Sequence, residues 1–323
     1  MIEINEINNK KRTSSLRKSK MRKYKFLYIL LLPAIIWTLI FSYVPLGGIV
    51  IAFQKYDIIK GITGSPFCSL DNFYQIFNKP AFSTKLLSAT LNTLLYSSVV
   101  LFLGTPFPII LAILFNELKN TYVKKVAQTL SYLPTFLSWV AVSGMFYSIF
   151  ATYGIWNDIL EMCANFLHLQ FERKNIMMDS KNFVHVVFWV NLWKTVGWSS
   201  IIYLAAITGI NQEMYEAARI DGCSRFKQAI YITIPSIVPT MVILFIMSFG
   251  GLLSSNFDLV FTFQNAYIQE KTEIIDTLTY RLGILQGEYS FTMAFGIVKS
   301  IISIILTVVC NKVCKKISGV GLW

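Results

Sequence analysis

Long apolar runs separated by short polar segments dominate the pattern of this chain. Two runs carry one lysine each, and the others contain no Asp, Glu, Lys or Arg. These runs cover residues 26–53, 86–115, 126–157, 182–210, 229–257 and 289–311. A helix needs about 20 residues to cross the apolar core of a bilayer, and lipid offers no partner for a free backbone amide. The pattern therefore predicts an all-α integral membrane protein with six transmembrane helices.

The same runs predict how the chain is organised. We expect a basic tail at 1–25, a first transmembrane helix at 26–53, an external segment at 54–85, a transmembrane domain at 86–312 and a second tail at 313–323. Within that domain, the predicted helices lie near 86–115, 126–152, 183–210, 236–257 and 291–312, with a polar loop at 211–235. Prolines such as Pro45 and Pro134 remove internal hydrogen bonds, so the first and third helices are expected to bend.

Composition and charge agree with a membrane location. The chain has 323 residues, of which 54% are hydrophobic and 14% charged, too apolar for an ordinary soluble domain. Its net charge of +12 is distributed unevenly, with 18 of the 29 basic residues in both tails and two loops on one predicted side, and nine on the other. The positive-inside rule then places both termini and the 211–235 loop in the cytoplasm. The basic tail has no interleaved aromatic residues, so we expect no nucleic-acid partner.

The chain lacks the motifs of an enzyme. No G-x-x-x-x-G-K-[ST] phosphate loop is present, and neither is H-E-x-x-H or G-x-S-x-G. The five cysteines have no zinc-site spacing. We therefore predict no catalytic residues, no metal site and no bound cofactor.

The polar loop contains the most specific motif, EAARIDGCSRFKQAIYITIP, at residues 216–235. Its key positions are Glu216, Ala217, Ala218, Gly222, Ile232 and Pro235. The stretch resembles the EAA loop of bacterial ABC importer permeases, whose pattern is EAA, three residues, Gly, nine residues and I-x-L-P. Ile234 stands where the family usually has leucine. The resemblance implies the ABC type-1 permease fold and a loop that docks onto a separate ATPase.

Elementary chemistry gives this loop a similar interpretation. Residues 213–219 are good helix formers, and the small side chains of Ala217 and Ala218 allow another surface to approach closely. Gly222 can adopt a positive φ that ends the helix, and Pro235 suits the first turn of the next span. The alternative is an amphipathic helix that only rests on lipid, although it lacks the basic bias usual for such helices.

Other stretches extend the resemblance over nearly the whole chain after residue 25. These are YVPLGGIVIAF near Tyr43, SPFCSLDNF at 65–73, IDTLTYRLGILQGEYSF at 275–291 and the terminal GLW. They are similar to the complex-polysaccharide and oligosaccharide branch of carbohydrate importer permeases, related to maltose-type permeases.

Polar and aromatic side chains within the predicted spans are candidates for a sugar path. Lys194 lies near the middle of the fourth helix, where a lysine facing lipid costs roughly 2.5–3.5 kcal/mol. Trp193 and Trp198 offer flat faces on which a sugar ring could stack. The full candidate set is Asn92, Asn191, Trp193, Lys194, Trp198, Tyr203, Asn256 and Asp258. Contacts between helices explain such residues equally well.

The resemblance implies an ATP-driven importer that moves a carbohydrate, an oligosaccharide or polysaccharide fragment, into the cell by alternating access. It implies several partners: a second, different permease subunit, an ABC ATPase dimer that uses ATP, an extracytoplasmic sugar-binding lipoprotein and the bacterial cell membrane. The rival hypothesis is a secondary transporter driven by an ion gradient, which would need paired intramembrane acids or broken helices around an ion site. The apolar runs carry lysines but no carboxylate.

Overall fold

The computed structural model describes residues 24–78 and 80–323, without the side chains of residues 79–82. Most of the tail predicted for residues 1–25 lies outside the described residues. The chain divides into two compact units, Met1–Asn72 and Phe73–Trp323. The described residues are helical, and among them the only β feature is an isolated bridge between Gln54 and Phe67. The prediction of an all-α chain is thus confirmed.

The helices of both units follow the apolar runs, with different boundaries. In chain order they are α1 (Lys25–Thr38), α2 (Asp71–Asn78), α3 (Pro80–Ser98), α4 (Pro106–Glu117), α5 (Thr121–Tyr132), α6 (Trp139–Phe150), α7 (Ile155–Phe166), α8 (Ser180–Thr208), α9 (Gln212–Ile220), α10 (Ile234–Gly250), α11 (Phe257–Phe263), α12 (Ile275–Tyr280) and α13 (Tyr289–Ser318). Helix α3 begins inside the predicted external segment 54–85, so that segment is shorter than expected.

In the first unit, α1 continues without interruption into the region around Pro45, where a bend was predicted. A π-helical turn at Leu39–Tyr43 and a 3₁₀ helix at Val44–Phe53 follow it. The chain then turns back, and the Asn72 amide donates to the carbonyls of Ala52 (2.8 Å) and Gln54 (2.9 Å). The DNF stretch therefore ties the end of the first helix to the segment that follows it.

Among the described residues, four helical stretches are long and apolar enough to cross a membrane, or five if one bent pair counts as a span. The four are Lys25–Phe53, Ser83–Glu117, Arg225–Gly250 and Tyr289–Ser318. The predicted fourth span corresponds to α8, which has 29 residues but contains many polar ones. Helix α8 also buries eleven residues against its neighbours. A helix surrounded by other helices does not need an apolar surface all round, which explains why α8 differs in composition from the others.

The third predicted helix, 126–152, is broken into two. Helix α5 and a short 3₁₀ turn at Leu133–Phe136 end the first part, and α6 begins the second at Trp139. The two parts meet at an angle of 99°. Pro134 lies in the 3₁₀ turn and cannot donate a backbone hydrogen bond, and the Ser138 hydroxyl accepts from the Ala141 N–H at 3.1 Å to cap α6. The predicted bend at Pro134 is thus a complete break.

Helix α8 lies at the centre of the second unit. It packs on α4, α5, α10 and α11, and its N-terminal half forms a core with α6 and α11 that includes Val142, Val187 and Phe263. At Gly197 the α5 backbone comes so close that a Cβ atom would lie 2.0 Å from the Ser131 carbonyl oxygen. Only glycine therefore permits this contact between α8 and α5.

The segment at 258–288, between the predicted helices 236–257 and 291–312, folds into the second unit. Helix α12 packs on α3, and the Thr93 hydroxyl accepts from the Ile275 N–H at 2.9 Å. Asp276 forms an ion pair with Lys299 of α13. Glu273 and Arg281 pair at 3.0 Å with little exposure, and burial raises the pKa of the Glu273 carboxyl, a shift that Arg281 opposes. Sequence spacing does not predict these pairs, because their members lie on different elements.

Candidate functional site

The motif at 216–235 forms a helix that ends in a glycine turn. Asn211 begins it, since its side-chain oxygen accepts from the Glu213 N–H at 3.1 Å. At the other end, the Cys223 N–H donates to the Ala218 carbonyl (2.8 Å) and the Gly222 N–H to the Arg219 carbonyl (3.1 Å). This bond pair defines a Schellman motif. Gly222 has φ +73°, so the positive φ predicted from the sequence is present.

Hydrogen bonds fasten this helix to the transmembrane helices of the second unit. The Tyr215 hydroxyl bonds to the Thr233 hydroxyl at 2.9 Å, and Tyr215 is the buried residue of α9. The Arg225 guanidinium donates to the Glu117 carboxylate at 3.3 Å, at the end of α4. The buried Gln228 amide donates to the Cys223 carbonyl at 2.9 Å. A force applied to α9 is therefore carried to the start of the next helix.

The rest of α9 is exposed. Glu216 and Ala217 lie at the surface and Ala218 is half-buried, while Ile220 is 88% exposed and Phe226, just past the turn, is 76% exposed. The exposed face mixes charges of both signs with small and apolar side chains. These exposed side chains are open to contact with another molecule. We name the segment from α9 to Gln228 the docking loop.

One motif position, Pro235, differs from its predicted place at the start of the next span. The next span begins at Arg225, not at Pro235, because one helical stretch runs from Arg225 to Gly250. Pro235 lies inside this stretch, directly after a π-helical turn at Ala229–Thr233. A π turn is one way in which a membrane helix accommodates the loss of the backbone hydrogen bond that proline cannot make. Ile232 lies in that π turn and is half-buried.

A cavity of about 430 Å³ lies between α3, α4, α8 and α10 of the second unit. Its volume falls in the range of small-molecule sites, about 300–1,000 Å³. Four of the predicted path residues line it: Asn191, Trp198, Tyr203 and Asn256. The structure thus brings together residues that the sequence places on two different helical segments.

The polar groups of the cavity are mostly hydroxyls. The Ser97 and Ser255 hydroxyls bond to each other at 3.1 Å, and the Thr195 hydroxyl donates to the Asn191 carbonyl at 2.7 Å. Ser199, Ser248 and Ser254 also line the cavity. Trp198 is 53% exposed and meets Phe136 edge to face, with ring centroids 6.0 Å apart. Trp198 therefore offers an open ring face beside several hydrogen-bonding groups.

Lys194 and Trp193 do not line this cavity. Lys194 is 6% exposed, its Nζ donates to the Thr135 carbonyl at 3.0 Å, and it lies 4.6 Å from the centroid of the Trp139 ring. The Thr135 hydroxyl donates in turn to the Lys194 carbonyl at 2.7 Å. The lysine therefore holds α8 against the break between α5 and α6, as the structural alternative proposed. Trp193 packs edge to face on Phe146, with centroids 5.7 Å apart.

Two other path candidates have local roles. The Asn92 amide donates to the carbonyls of Lys271 (3.0 Å) and Glu273 (2.9 Å), so it joins α3 to the segment before α12. Asp258 is exposed in the first turn of α11. Asn256, although it lines the cavity, also caps α11 by accepting from the Leu259 N–H at 3.2 Å.

Sequence reasoning missed other residues that line the cavity, among them Tyr96, Ser97, Thr105, Ser248 and Ser255. Each of these residues contributes one hydroxyl group and lies in a predominantly apolar run. Serine and threonine are common in transmembrane helices, where they bond to a preceding carbonyl or to another helix. Their presence in the sequence therefore carries little information about a site.

Comparisons with known proteins agree on one class. The family described as "Binding-protein-dependent transport system inner membrane component" matches residues 81–314. The chain is 38% identical over 282 residues to the polygalacturonan/rhamnogalacturonan transport system permease protein YteP of Bacillus subtilis (strain 168), covering 87% of this chain and 85% of that protein. It is 34% identical to protein LplB of the same organism, over 87% of this chain and 86% of LplB.

Solved structures give the same result for the fold. The chain is similar to a subunit in the crystal structure of a bacterial ABC transporter involved in the import of the acidic polysaccharide alginate. The TM-score is 0.80 at 31% identity, and the match covers 93% of this chain and 98% of that subunit. A second structure of this kind contains an alginate pentasaccharide-bound periplasmic protein, with a TM-score of 0.80 and 31% identity over 94% of this chain and 99% of the other.

Proposed function

Because the chain belongs to the family of inner membrane components of binding-protein-dependent transport systems, we propose that it is the permease subunit of an ATP-driven ABC importer of carbohydrate. One observation carries the proposal: the exposed helix α9 ends in a Schellman turn, and Tyr215 of α9 is hydrogen-bonded to Thr233 in the helical stretch Arg225–Gly250, which lines the cavity. The similar proteins named for rhamnogalacturonan and alginate transport support a carbohydrate as cargo.

The proposal assigns the remaining parts of the machine to other chains. An ABC ATPase dimer docks on the loop at Glu216–Ala218 and uses ATP. A second, different permease subunit completes the path, and an extracytoplasmic sugar-binding lipoprotein delivers the cargo. The chain spans the bacterial cell membrane, with both termini and the docking loop in the cytoplasm. The periplasmic protein in the alginate structure supports the role of the lipoprotein.

The structure suggests how the docking loop acts on the cavity. The stretch from Arg225 to Gly250 begins in the docking loop and reaches the cavity at Leu244 and Ser248. Motion of α9 enters this stretch through the Gly222 turn and the bond between Tyr215 and Thr233. The cavity wall then moves with the ATPase, as alternating access requires. The interpretation of α9 as a helix resting on lipid explains neither the bond nor this continuity.

The ion-gradient alternative needs acids that can exchange an ion. Asp276 and Glu273 are half-buried carboxylates of the second unit, and each forms an ion pair, with Lys299 and Arg281 respectively. A paired carboxylate is a poor ion site, because its partner already neutralises it. This observation favours the ATP-driven function.

Reconstitution tests the proposal. The chain alone in proteoliposomes is expected to show no ATP hydrolysis and no ATP-dependent sugar flux, and both should appear when the second permease, the ATPase and the binding protein are added. Trp198→Ala should lower uptake without releasing the ATPase, whereas Trp193→Ala, outside the cavity, serves as the matched control. ATP hydrolysis by the purified chain, or sugar flux driven by an ion gradient without ATP, would contradict the proposal.

A further inference from the structure

The ionisable side chains of the cavity, among the described residues, are those of two tyrosines, Tyr96 and Tyr203. Of the described residues that line it, none is Asp, Glu, Lys, Arg or His. Its polar atoms belong to serine and threonine hydroxyls, the amides of Asn191 and Asn256, the hydroxyls of Tyr96 and Tyr203, and the Trp198 indole. A site that must hold an anion usually supplies Arg, Lys or a metal, because a carboxylate loses much hydration when it leaves water.

Three basic residues of the second unit with little exposure, Lys194, Lys299 and Arg281, already bind other groups. Lys194, on the same helix as Asn191 and Trp198, is directed to the Thr135 carbonyl and the Trp139 ring. Lys299 is paired with Asp276, and Arg281 with Glu273. Breaking such a pair to recruit the cation would leave a half-buried carboxylate uncompensated. These residues therefore do not supply a counter-charge for an anionic sugar.

The cavity does match an uncharged sugar. The side chains of Ser199, Ser248 and Tyr203 have no hydrogen-bond partner among the described residues, so they are free to bond sugar hydroxyls. The exposed ring of Trp198 provides an apolar face for the C–H side of a pyranose or furanose. Hydroxyl donors and acceptors beside an aromatic face recognise a neutral ring without any charge.

We propose that neutral sugar units, not uronates, occupy the part of the path that this chain lines. The proposal rests on the carbohydrate function proposed above and deepens it, by assigning the class of sugar that this cavity accepts. It differs from what the acidic cargoes in the names of the similar proteins suggest. If the imported glycan carries carboxylates, they pass on the side of the second permease.

The test places a charge in the cavity. Ser248 lies on α10, is exposed and lines the cavity, so Ser248→Asp adds a carboxylate and Ser248→Asn adds nearly the same volume without charge. Both variants are assembled with the second permease, the ATPase and the binding protein in proteoliposomes at pH 7. ATP-dependent uptake of a neutral arabinotriose and of trigalacturonate is measured for each, and co-purified ATPase is quantified.

The proposal expects that both variants take up the neutral trisaccharide at equal rates. Uptake of trigalacturonate with the two variants equal also supports it, since the carboxylates then do not approach Ser248. A loss of trigalacturonate uptake of about tenfold or more in Ser248→Asp relative to Ser248→Asn, as repulsion between close like charges predicts, would overturn it. If the unsubstituted assembly takes up trigalacturonate but not arabinotriose, this inference fails while the carbohydrate function stands. If the unsubstituted assembly takes up neither sugar although the ATPase co-purifies, the result counts against the carbohydrate function itself.

Discussion

The Gly222 turn makes the clearest prediction about docking. Gly222 has φ +73°, and a Cβ atom at this position would meet nothing within 4 Å. Replacement by valine therefore causes no collision, and its cost is the backbone strain alone. The left-handed conformation costs an L-residue roughly 1–2 kcal/mol, and a β-branched residue is especially disfavoured there.

The strain acts on the two hydrogen bonds that end α9, from Cys223 to Ala218 and from Gly222 to Arg219. A change of one to two kcal/mol shifts a two-state ratio by a factor of about 5–30. We expect Gly222→Val to lower the ratio of correctly aimed to misaimed α9 by that factor. ATP-dependent uptake in proteoliposomes and the amount of co-purified ATPase should both fall accordingly, while the chain still inserts in the membrane.

Two controls separate strain from size. Gly222→Asn should retain most activity, because asparagine tolerates the left-handed region better than other residues. Gly144→Val makes the same change in size where a Cβ atom also meets nothing within 4 Å and φ is not positive, and it should leave docking unchanged. Wild-type docking and uptake by Gly222→Val would refute the argument that the turn aims α9.

Three further predictions follow from the described contacts. In a variant without native cysteines, a membrane-impermeant thiol reagent should label Ile220→Cys (88% exposed) from the cytoplasm and Tyr267→Cys (79% exposed) from outside. Labelling of both positions from one side would exclude the predicted topology. Lys194→Met should lower the free energy of unfolding of the chain in detergent by roughly 1.5–3 kcal/mol, the range for a hydrogen bond from a charged group. An unchanged free energy of unfolding together with lost uptake would instead indicate a path residue. Lys299→Met should destabilise the chain by roughly 1–3 kcal/mol, since it leaves the half-buried carboxylate of Asp276 without its partner. Adding Asp276→Leu should recover most of this loss, and an additive double variant would show that the pair is not coupled.

The site was only partly predictable, and the docking loop and the cavity differ in this respect. The loop is local: its helix and its glycine turn depend on residues within about twelve positions of each other, so spacing and propensity were sufficient. The cavity is not local, since Ser97, Asn191, Ser248 and Asn256 come from distant parts of the chain. Lys194 shows the limit most clearly, because its depth was evident from the sequence but its partner, Thr135, was not.

The sequence by itself determined that the chain is helical and membrane-embedded, and where its docking loop lies. Those properties follow from the length of apolar runs and from backbone rules that act over a few residues. Only the tertiary structure decided that Pro134 breaks a helix by 99°, that the 258–288 segment folds inward, and that Lys194 faces away from the cavity. Each of these depends on how a helix is rotated about its axis and which neighbour it meets. In a span that is apolar on most sides, packing between helices sets that rotation, because the pattern of polar positions is too sparse to specify it.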